Sequence, residues 1–193
     1  MLTYSEVMTI NGELDRKYLQ TFGHGILQKD EVILNGQIEW YQSWFTFKGF
    51  RYVEFDGVEV NIEPSDIEGV VLSSDLDQVG SFECSDAMVN QLYQNVVWSM
   101  RSNFLDTPTD CPTLERTGWT GDIQIFSPAA TTIMDVQAYL RRYLRNLGYE
   151  QNDDGRVLCY IPREQSKFSG GSGKFAKYFW SSTGWGDVCV MMP

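Results

Sequence analysis

The hydrophobic period of this chain changes near residue 80, so one kind of secondary structure cannot satisfy both halves. Before that point, short runs of β-branched and aromatic residues are punctuated by the turn pairs Asn11-Gly12, Asn35-Gly36, Lys48-Gly49 and Asp56-Gly57. The run from Trp44 to Phe55 nearly alternates on either side of Gly49, and Val58 to Ile62 alternates apolar and polar residues. Asp56-Gly57 lies between those runs and predicts a two-residue hairpin, because both central positions of that turn favour positive φ. Hairpins at this spacing predict part of a β-sandwich over residues 1–80 rather than a βαβ fold.

Past Phe82 the spacing becomes helical. Val89, Leu92, Tyr93, Val96, Val97 and Met100 fall three and four apart, which predicts an amphipathic helix from Ser85 to Met100. Ser85 is the expected N-cap, with Asp86 favourable near the positive end of the helix. A second helix is expected to start at Ser127-Pro128 and to stop at Gly148. Its stripe would be Ile133, Val136, Leu140, Tyr143, Leu144 and Leu147. Arg141, Arg142 and Arg145 then read as a solvated face near its negative end. Ser169 to Gly173 reads as a flexible loop.

Composition narrows the function classes. With 42% hydrophobic and 21% charged residues the chain can bury a core, which excludes a disordered or fibrous protein. A net charge of −11 repels phosphate backbones and anionic lipid, so no nucleic-acid or membrane partner is expected. No 18-residue apolar window and no basic-then-apolar leader is present, and a cytoplasmic location is the expectation. Cys84, Cys111, Cys159 and Cys189 form no CxxC pair, and His24 is the sole histidine. No metal site and no cofactor are therefore expected, and the cysteines read as reduced thiols. His24, in Gly23-His24-Gly25, receives no role. The aromatic share, 14%, suits stacking on the apolar faces of sugars as well as core packing.

Chemistry concentrates between the two helices. Residues 102–122 read SNFLDTPTDCPTLERTGWTGD, and their prolines and glycines exclude a continuous helix. A loop of this length between ordered elements points to function. It gathers Asp106, Asp110, Glu115 and Asp122 beside Arg116 and Trp119. Converging carboxylates keep one member protonated near neutral pH, which is what protonating a glycosidic oxygen requires. For any one aspartate taken alone, capping a turn or helix is the plainer role.

The stretch Asp110-Cys111-Pro112 through Glu115, followed by Gly118-Trp119-Thr120-Gly121-Asp122, resembles the signature segment of the bacterial α-L-rhamnosidases, a family of inverting glycoside hydrolases. The flanks resemble it too: Phe45 to Val53 is similar to the family's FTYHGFRYV strand pair, Gly80 to Ser85 to the lead-in of its first catalytic helix, and Gly184-Trp185-Gly186-Asp187 to a later GWGD element. The resemblance implies a β-sandwich portion (1–80) followed by an α-helical portion (81–193) that opens an (α/α)6 toroid. It implies Glu115 as general acid, Asp110 and Asp122 as partners of rhamnose hydroxyls, and Trp119 and Trp185 packed against the sugar. Arg116 is a further sugar contact by proximity alone, because this chain has Thr113-Leu114 where many members carry a charged pair before the acid. The expected partners are rhamnose-containing glycosides.

An inverting enzyme also needs a second carboxylate roughly 6.5–9.5 Å from the acid to activate water. In the family that base lies much further along the catalytic domain, so the 193 residues read as a fragment of a rhamnosidase that is inactive alone and self-associates through unpartnered apolar faces. Two other readings are a carbohydrate-binding module without catalysis and an inactive remnant. Glu115 separates the enzyme from the binding module, because a lectin-like site needs no acid. Cys111 is not expected to be a nucleophile, as His24 lies far from it in sequence.

Overall fold

The computed structural model describes residues 1–18, 28–37, 40–59, 61–163 and 181–192. The turn around His24 and the loop Ser169 to Gly173 lie outside these described residues. The chain forms two compact units: residues 1–72 together with 111–116, and residues 73–110 together with 117–193.

In the first unit, Leu2–Ser5 (β1), Lys29–Asp30 (β2) and Tyr52–Phe55 (β3) form an antiparallel sheet in the order β2-β1-β3. Among the described residues, the expected hairpin at Asp56-Gly57 has no second strand. Gly57 does take a positive φ of 73°, but β3 pairs with β1, in the register Leu2↔Phe55 to Ser5↔Tyr52. Val58, Glu59, Asn61 and Ile62 carry no strand. The alternating pattern identified β3 as a strand, and its partner among the described residues lies some fifty residues upstream. Asn11-Gly12 does make its turn, with Gly12 at φ 83° and Met8 bridged to Leu14. Among the described residues there is one three-stranded sheet, not two facing sheets.

A charged cluster ties this unit together. Asp30 faces Lys48 at 3.0 Å and accepts hydrogen bonds from the Tyr4 hydroxyl (3.0 Å) and the Ser43 hydroxyl (2.7 Å). Both charged side chains are about nine-tenths buried. Burial alone would push the Asp30 carboxyl up. The hydrogen bonds from Ser43, Lys48 and Tyr4, with the Lys48 charge, outweigh it and hold the pKa below the usual carboxylate value. A carboxyl lowered on folding stabilises the chain above its unfolded pKa, near 4, and that stability is lost as pH falls through the lower folded value. Asp30→Asn strands the buried Lys48 charge and is expected to cost about 3–5 kcal/mol at pH 7. Urea denaturation between pH 2 and 7 should show the deficit of the variant shrinking below about pH 4.

The second unit is helical: Ala87–Asn103 (α1), Thr120–Ile133 (α2), Gln137–Glu150 (α3) and the short turns Thr183–Gly186 (α4) and Val188–Met191 (α5). Asp86, not Ser85, caps α1; its Oδ1 accepts the Met88 and Val89 amides at 2.8 and 3.4 Å. Of the predicted stripe on α1, Val97 and Met100 are buried, whereas Val89 and Leu92 are exposed.

The expected single helix from Ser127 is two helices. α2 already begins at Thr120 and carries Pro128 in its interior, and α3 continues through Gly148. Pro128 has no amide to offer the Gln124 carbonyl four residues back; the Ser127 hydroxyl donates to that carbonyl at 3.0 Å instead. Ser127-Pro128 therefore repairs a helix interior where the sequence suggested a start. The break falls at Met134 to Val136, where residues 77–80 run alongside: the Val79 amide donates to the Ile133 carbonyl and the Asp135 amide to the Asp77 carbonyl, at 2.9 and 2.8 Å. Asp135 Oδ1 then accepts the Gln137 amide at the start of α3 (3.2 Å). Tyr139, Leu140, Tyr143 and Leu147 bury the inner face of α3 against Phe104, Ile123, Ala130 and Ile133.

Candidate active site

With α1 ending at Asn103 and α2 starting at Thr120, the connection rich in carboxylates is residues 104–119, shorter at both ends than its sequence suggests. Its neck is closed inside the helical unit. The Asp110 amide donates to the Thr117 carbonyl at 3.1 Å, and the Thr117 amide donates back to Asp110 Oδ1 at 2.8 Å. Between these two residues the chain leaves the helical unit, and residues 111–116 pack with the β unit.

In the helical unit, Asp110 and Asp122 line one pocket of about 170 Å³ with Asn103, Phe104, Pro108 and Phe126. Asp122 lies in the first turn of α2, where the positive end of the helix favours a carboxylate. The Tyr143 phenol is pushed up chiefly by burial, and further by Tyr139 and by the nearby Asp122 charge. Asp106 is not part of this pocket: it pairs with Arg142 at 2.5 Å, and Arg142 lies over the Tyr139 ring. The pair is largely exposed, so its energetic weight is small. The arginine face of α3 is thus solvated at Arg141 and Arg145, while Arg142 is engaged.

Trp119 is held from behind by residues 158–161. The Ile161 amide donates to the Gly118 carbonyl at 2.9 Å and the Thr120 amide to the Cys159 carbonyl at 2.8 Å, so Trp119 and Tyr160 pair like residues of adjacent strands. The buried Thr120 hydroxyl reaches the Leu158 and Cys159 carbonyls at 3.0 and 2.9 Å. The Trp119 and Tyr160 rings meet edge to face at 5.6 Å. Gly118 is required here: a Cβ would land on the Ile161 carbonyl. Gly121 is packed less tightly: a Cβ there would sit 3.0 Å from the Trp185 indole, which lies against the α2 backbone one residue before Asp122. Trp185 remains 40% exposed.

Glu115 and Arg116 belong to the β unit. The Glu115 amide donates to the Cys111 sulfur at 3.3 Å, closing the turn that carries the carboxylate. Arg116 takes φ 51°, a left-handed conformation rare for a residue with a Cβ, and its Nη1 donates to the Phe47 carbonyl at 2.6 Å. Burial lowers the pKa of its guanidinium, while Cys111 and Asp30 pull it back up. The Gly49 amide donates to the Pro112 carbonyl at 3.1 Å, and a Cβ on Gly49 would sit 2.7 Å from the Pro112 ring. Among the described residues, no three His, Cys, Asp or Glu side chains converge as metal ligands.

The six residues singled out in the sequence therefore fall into two sets. Asp110, Trp119, Asp122 and Trp185 lie in the helical unit, with the two aspartates on one pocket, and Glu115 and Arg116 lie in the β unit. Sequence reasoning missed Tyr160, for which no local motif speaks, and Gly49, which it read as turn punctuation. A glycine inside a strand-like run is also the signal of a close backbone approach, and that reading would have found it.

Residues 77–193 match the family described as the bacterial alpha-L-rhamnosidase 6 hairpin glycosidase domain, and residues 1–73 the bacterial alpha-L-rhamnosidase concanavalin-like domain. An alpha-L-rhamnosidase of Formosa agariphila is 40% identical over 161 residues, covering 82% of this chain and 16% of the relative. The crystal structure of the Streptomyces avermitilis alpha-L-rhamnosidase complexed with L-rhamnose superposes with a TM-score of 0.83 at 34% identity, covering 100% of this chain and 17% of that one. The alpha-L-rhamnosidase of Aspergillus terreus superposes with a TM-score of 0.81 at 33% identity, covering 100% of this chain and 21% of that one. The small sheet followed by helices thus matches part of each of these solved enzymes, and the chain spans about a sixth of the length of the curated relatives it matches.

Proposed function

The chain belongs to the bacterial α-L-rhamnosidase family, and from that premise we propose that it carries the acid side of the active site of an inverting glycoside hydrolase acting on terminal α-L-rhamnosides. The observation that supports this most strongly is the segment Asp110 to Asp122, whose two end carboxylates line one pocket while Glu115 sits on a hydrogen-bonded turn between them in sequence.

In this reading Glu115 protonates the glycosidic oxygen as the bond to the anomeric carbon breaks, and the leaving group departs as a neutral alcohol. Asp110 keeps Oδ1 on the Thr117 amide and offers Oδ2 to a sugar hydroxyl, and Asp122 offers its carboxylate at the start of α2. Carboxylate acceptors bind hydroxyl donors in charge-assisted hydrogen bonds, which are stronger than neutral ones. Trp119 and Trp185 present flat apolar surface to the ring. Arg116, expected from proximity alone to touch the sugar, bonds the Phe47 carbonyl.

No residue here is assigned as the base. We place it in a polypeptide of the relatives' length, where α1 to α3 would be the opening helices of the (α/α)6 toroid and residues 1–80 part of the β-sandwich. The exposed Met88, Leu92 and Trp98 on α1 fit a surface that further helices cover; on its own the 193-residue chain would bury them by self-association. The test is hydrolysis of 4-nitrophenyl α-L-rhamnoside by a protein of rhamnosidase length carrying this chain. Turnover supports the enzyme, whereas L-rhamnose binding without turnover would make the site a binding module.

A further inference from the structure

We propose that Arg116 is a positioning residue: it fastens the turn that bears Glu115 to the β unit, and so acts on the reaction through its neighbour rather than through the sugar. The inference rests on Glu115 being the acid. Residues 111–116 are an excursion of six residues whose neck is pinned in the helical unit by Asp110 and Thr117, while the six residues themselves group with the β unit. An excursion fastened only at its neck would leave the acid free to wander, and a displacement near 1 Å is enough to cost a catalytic group roughly 100-fold.

Among the described residues, three fastenings hold its far side. The Gly49 amide bonds the Pro112 carbonyl, and its bare Cα lets the Pro112 ring and Thr113 methyl approach to distances that no Cβ allows. The Tyr18 hydroxyl meets the Thr113 hydroxyl at 3.4 Å. Arg116 supplies the third, next to Glu115 itself: its Nη1 bonds the Phe47 carbonyl at 2.6 Å and its guanidinium lies 5.5 Å from the centre of the Phe47 ring. With the Glu115 amide on the Cys111 sulfur, the acid is held on both sides of its Cα.

Two features argue that this fastening is specific. Arg116 adopts its left-handed φ although it is not glycine, a conformation that persists only where surrounding contacts impose it. The planar guanidinium also covers an aromatic face and bonds a carbonyl at once, which a lysine ammonium on a flexible stem does not reproduce. Arg116 is the only Lys or Arg between Arg101 and Arg141 in the sequence, so no other cation on this segment can replace it.

The test has two arms. In the 193-residue chain, Arg116→Ala is expected to raise amide hydrogen exchange across residues 111–117 by about 10-fold or more and to leave α2 unchanged. Unchanged exchange in 111–117 overturns the proposal. At rhamnosidase length, Arg116→Ala and Arg116→Lys should lower kcat on an alkyl α-L-rhamnoside by roughly 10–100-fold with KM held within about twofold. Activity on 2,4-dinitrophenyl α-L-rhamnoside, whose leaving group needs little protonation, should barely change. Equal losses on both substrates with a raised KM would make Arg116 a sugar contact and overturn the proposal. Gly49→Ala disturbs the same turn from the other side and should give the same signature if the Arg116 variants fold poorly. Glu115→Gln run alongside separates the two claims: if it leaves the alkyl rhamnoside rate intact, the acid assignment fails while the exchange result still decides how Arg116 holds the turn.

Discussion

Glu115→Gln in a rhamnosidase-length protein is expected to cut turnover of an alkyl α-L-rhamnoside by about 10²–10⁴-fold, the usual worth of a positioned general acid. The amide keeps the size and hydrogen-bonding reach of the carboxyl but has no proton to give, so substrate binding should survive and KM should move little. The loss should shrink toward unity on 2,4-dinitrophenyl α-L-rhamnoside, because that phenolate leaves without assistance. Steady-state kinetics on the two substrates measures both numbers. A loss of equal size on both would assign Glu115 to sugar binding instead of proton transfer.

The second large effect is structural. Gly118→Ala places a methyl on the Ile161 carbonyl and 2.7 Å from the Thr107 methyl. Neither wall is the free end of a flexible side chain, since the carbonyl belongs to the backbone and Thr107 is β-branched and short. Relief requires parting residues 118–120 from 158–161, which gives up the Ile161–Gly118 and Thr120–Cys159 hydrogen bonds. The expected cost is about 3–4 kcal/mol, a fall in Tm on the order of 10 °C for a chain of this size. Gly148→Ala is the matched control, because Gly148 lies within α3 with nothing inside 4 Å of its added methyl. It should gain about 0.5–1 kcal/mol from helix propensity. Thermal unfolding followed by circular dichroism reads both, and opposite signs are expected. Because Trp119 follows Gly118, its fluorescence should change with the first substitution and not with the second.

The helical segments holding Val97 and Met100 and Leu140 to Leu147, and the strand at Tyr52–Phe55, were legible because periodicity is a local property. Val89 and Leu92 of the first stripe, by contrast, are exposed, and Ile133 of the second ends α2. What the strand pairs with was not legible, since β1 lies some fifty residues upstream and any alternating segment could have taken its place. Ser127-Pro128 misled for a related reason. The pair is the expected signature of a helix start, and only the three-dimensional structure reveals the Ser127 hydroxyl standing in for the amide that proline lacks. Missing that shifted the start of α2 by eight residues and hid the fact that Thr120-Gly121-Asp122 is the first turn of a helix.

The site shows the same division. The carboxylates were visible as residue types, and their partition was not: Asp106 turned away to Arg142, Asp110 and Asp122 came to one pocket, and Glu115 went with the β unit. No spacing rule states that six residues in the middle of a helical region will pack with the preceding β region. Gly49 carried the one sequence hint, a glycine inside a run of aromatic residues, and the close approach it permits is to Pro112 and Thr113. Tyr160 carried no hint, because its relation to Trp119 is a pairing across forty residues of chain.

The central claim, that this chain bears the acid of an inverting α-L-rhamnosidase, is tested most directly by the first-formed product. Proton NMR, recorded as a rhamnosidase-length protein carrying the chain hydrolyses an α-L-rhamnoside, distinguishes the two anomers before they equilibrate. The expected result is β-L-rhamnose released first, with the signal lost on an alkyl rhamnoside when Glu115 is replaced by Gln. Release of α-L-rhamnose, or turnover of the alkyl rhamnoside that persists unchanged in Glu115→Gln, would contradict it.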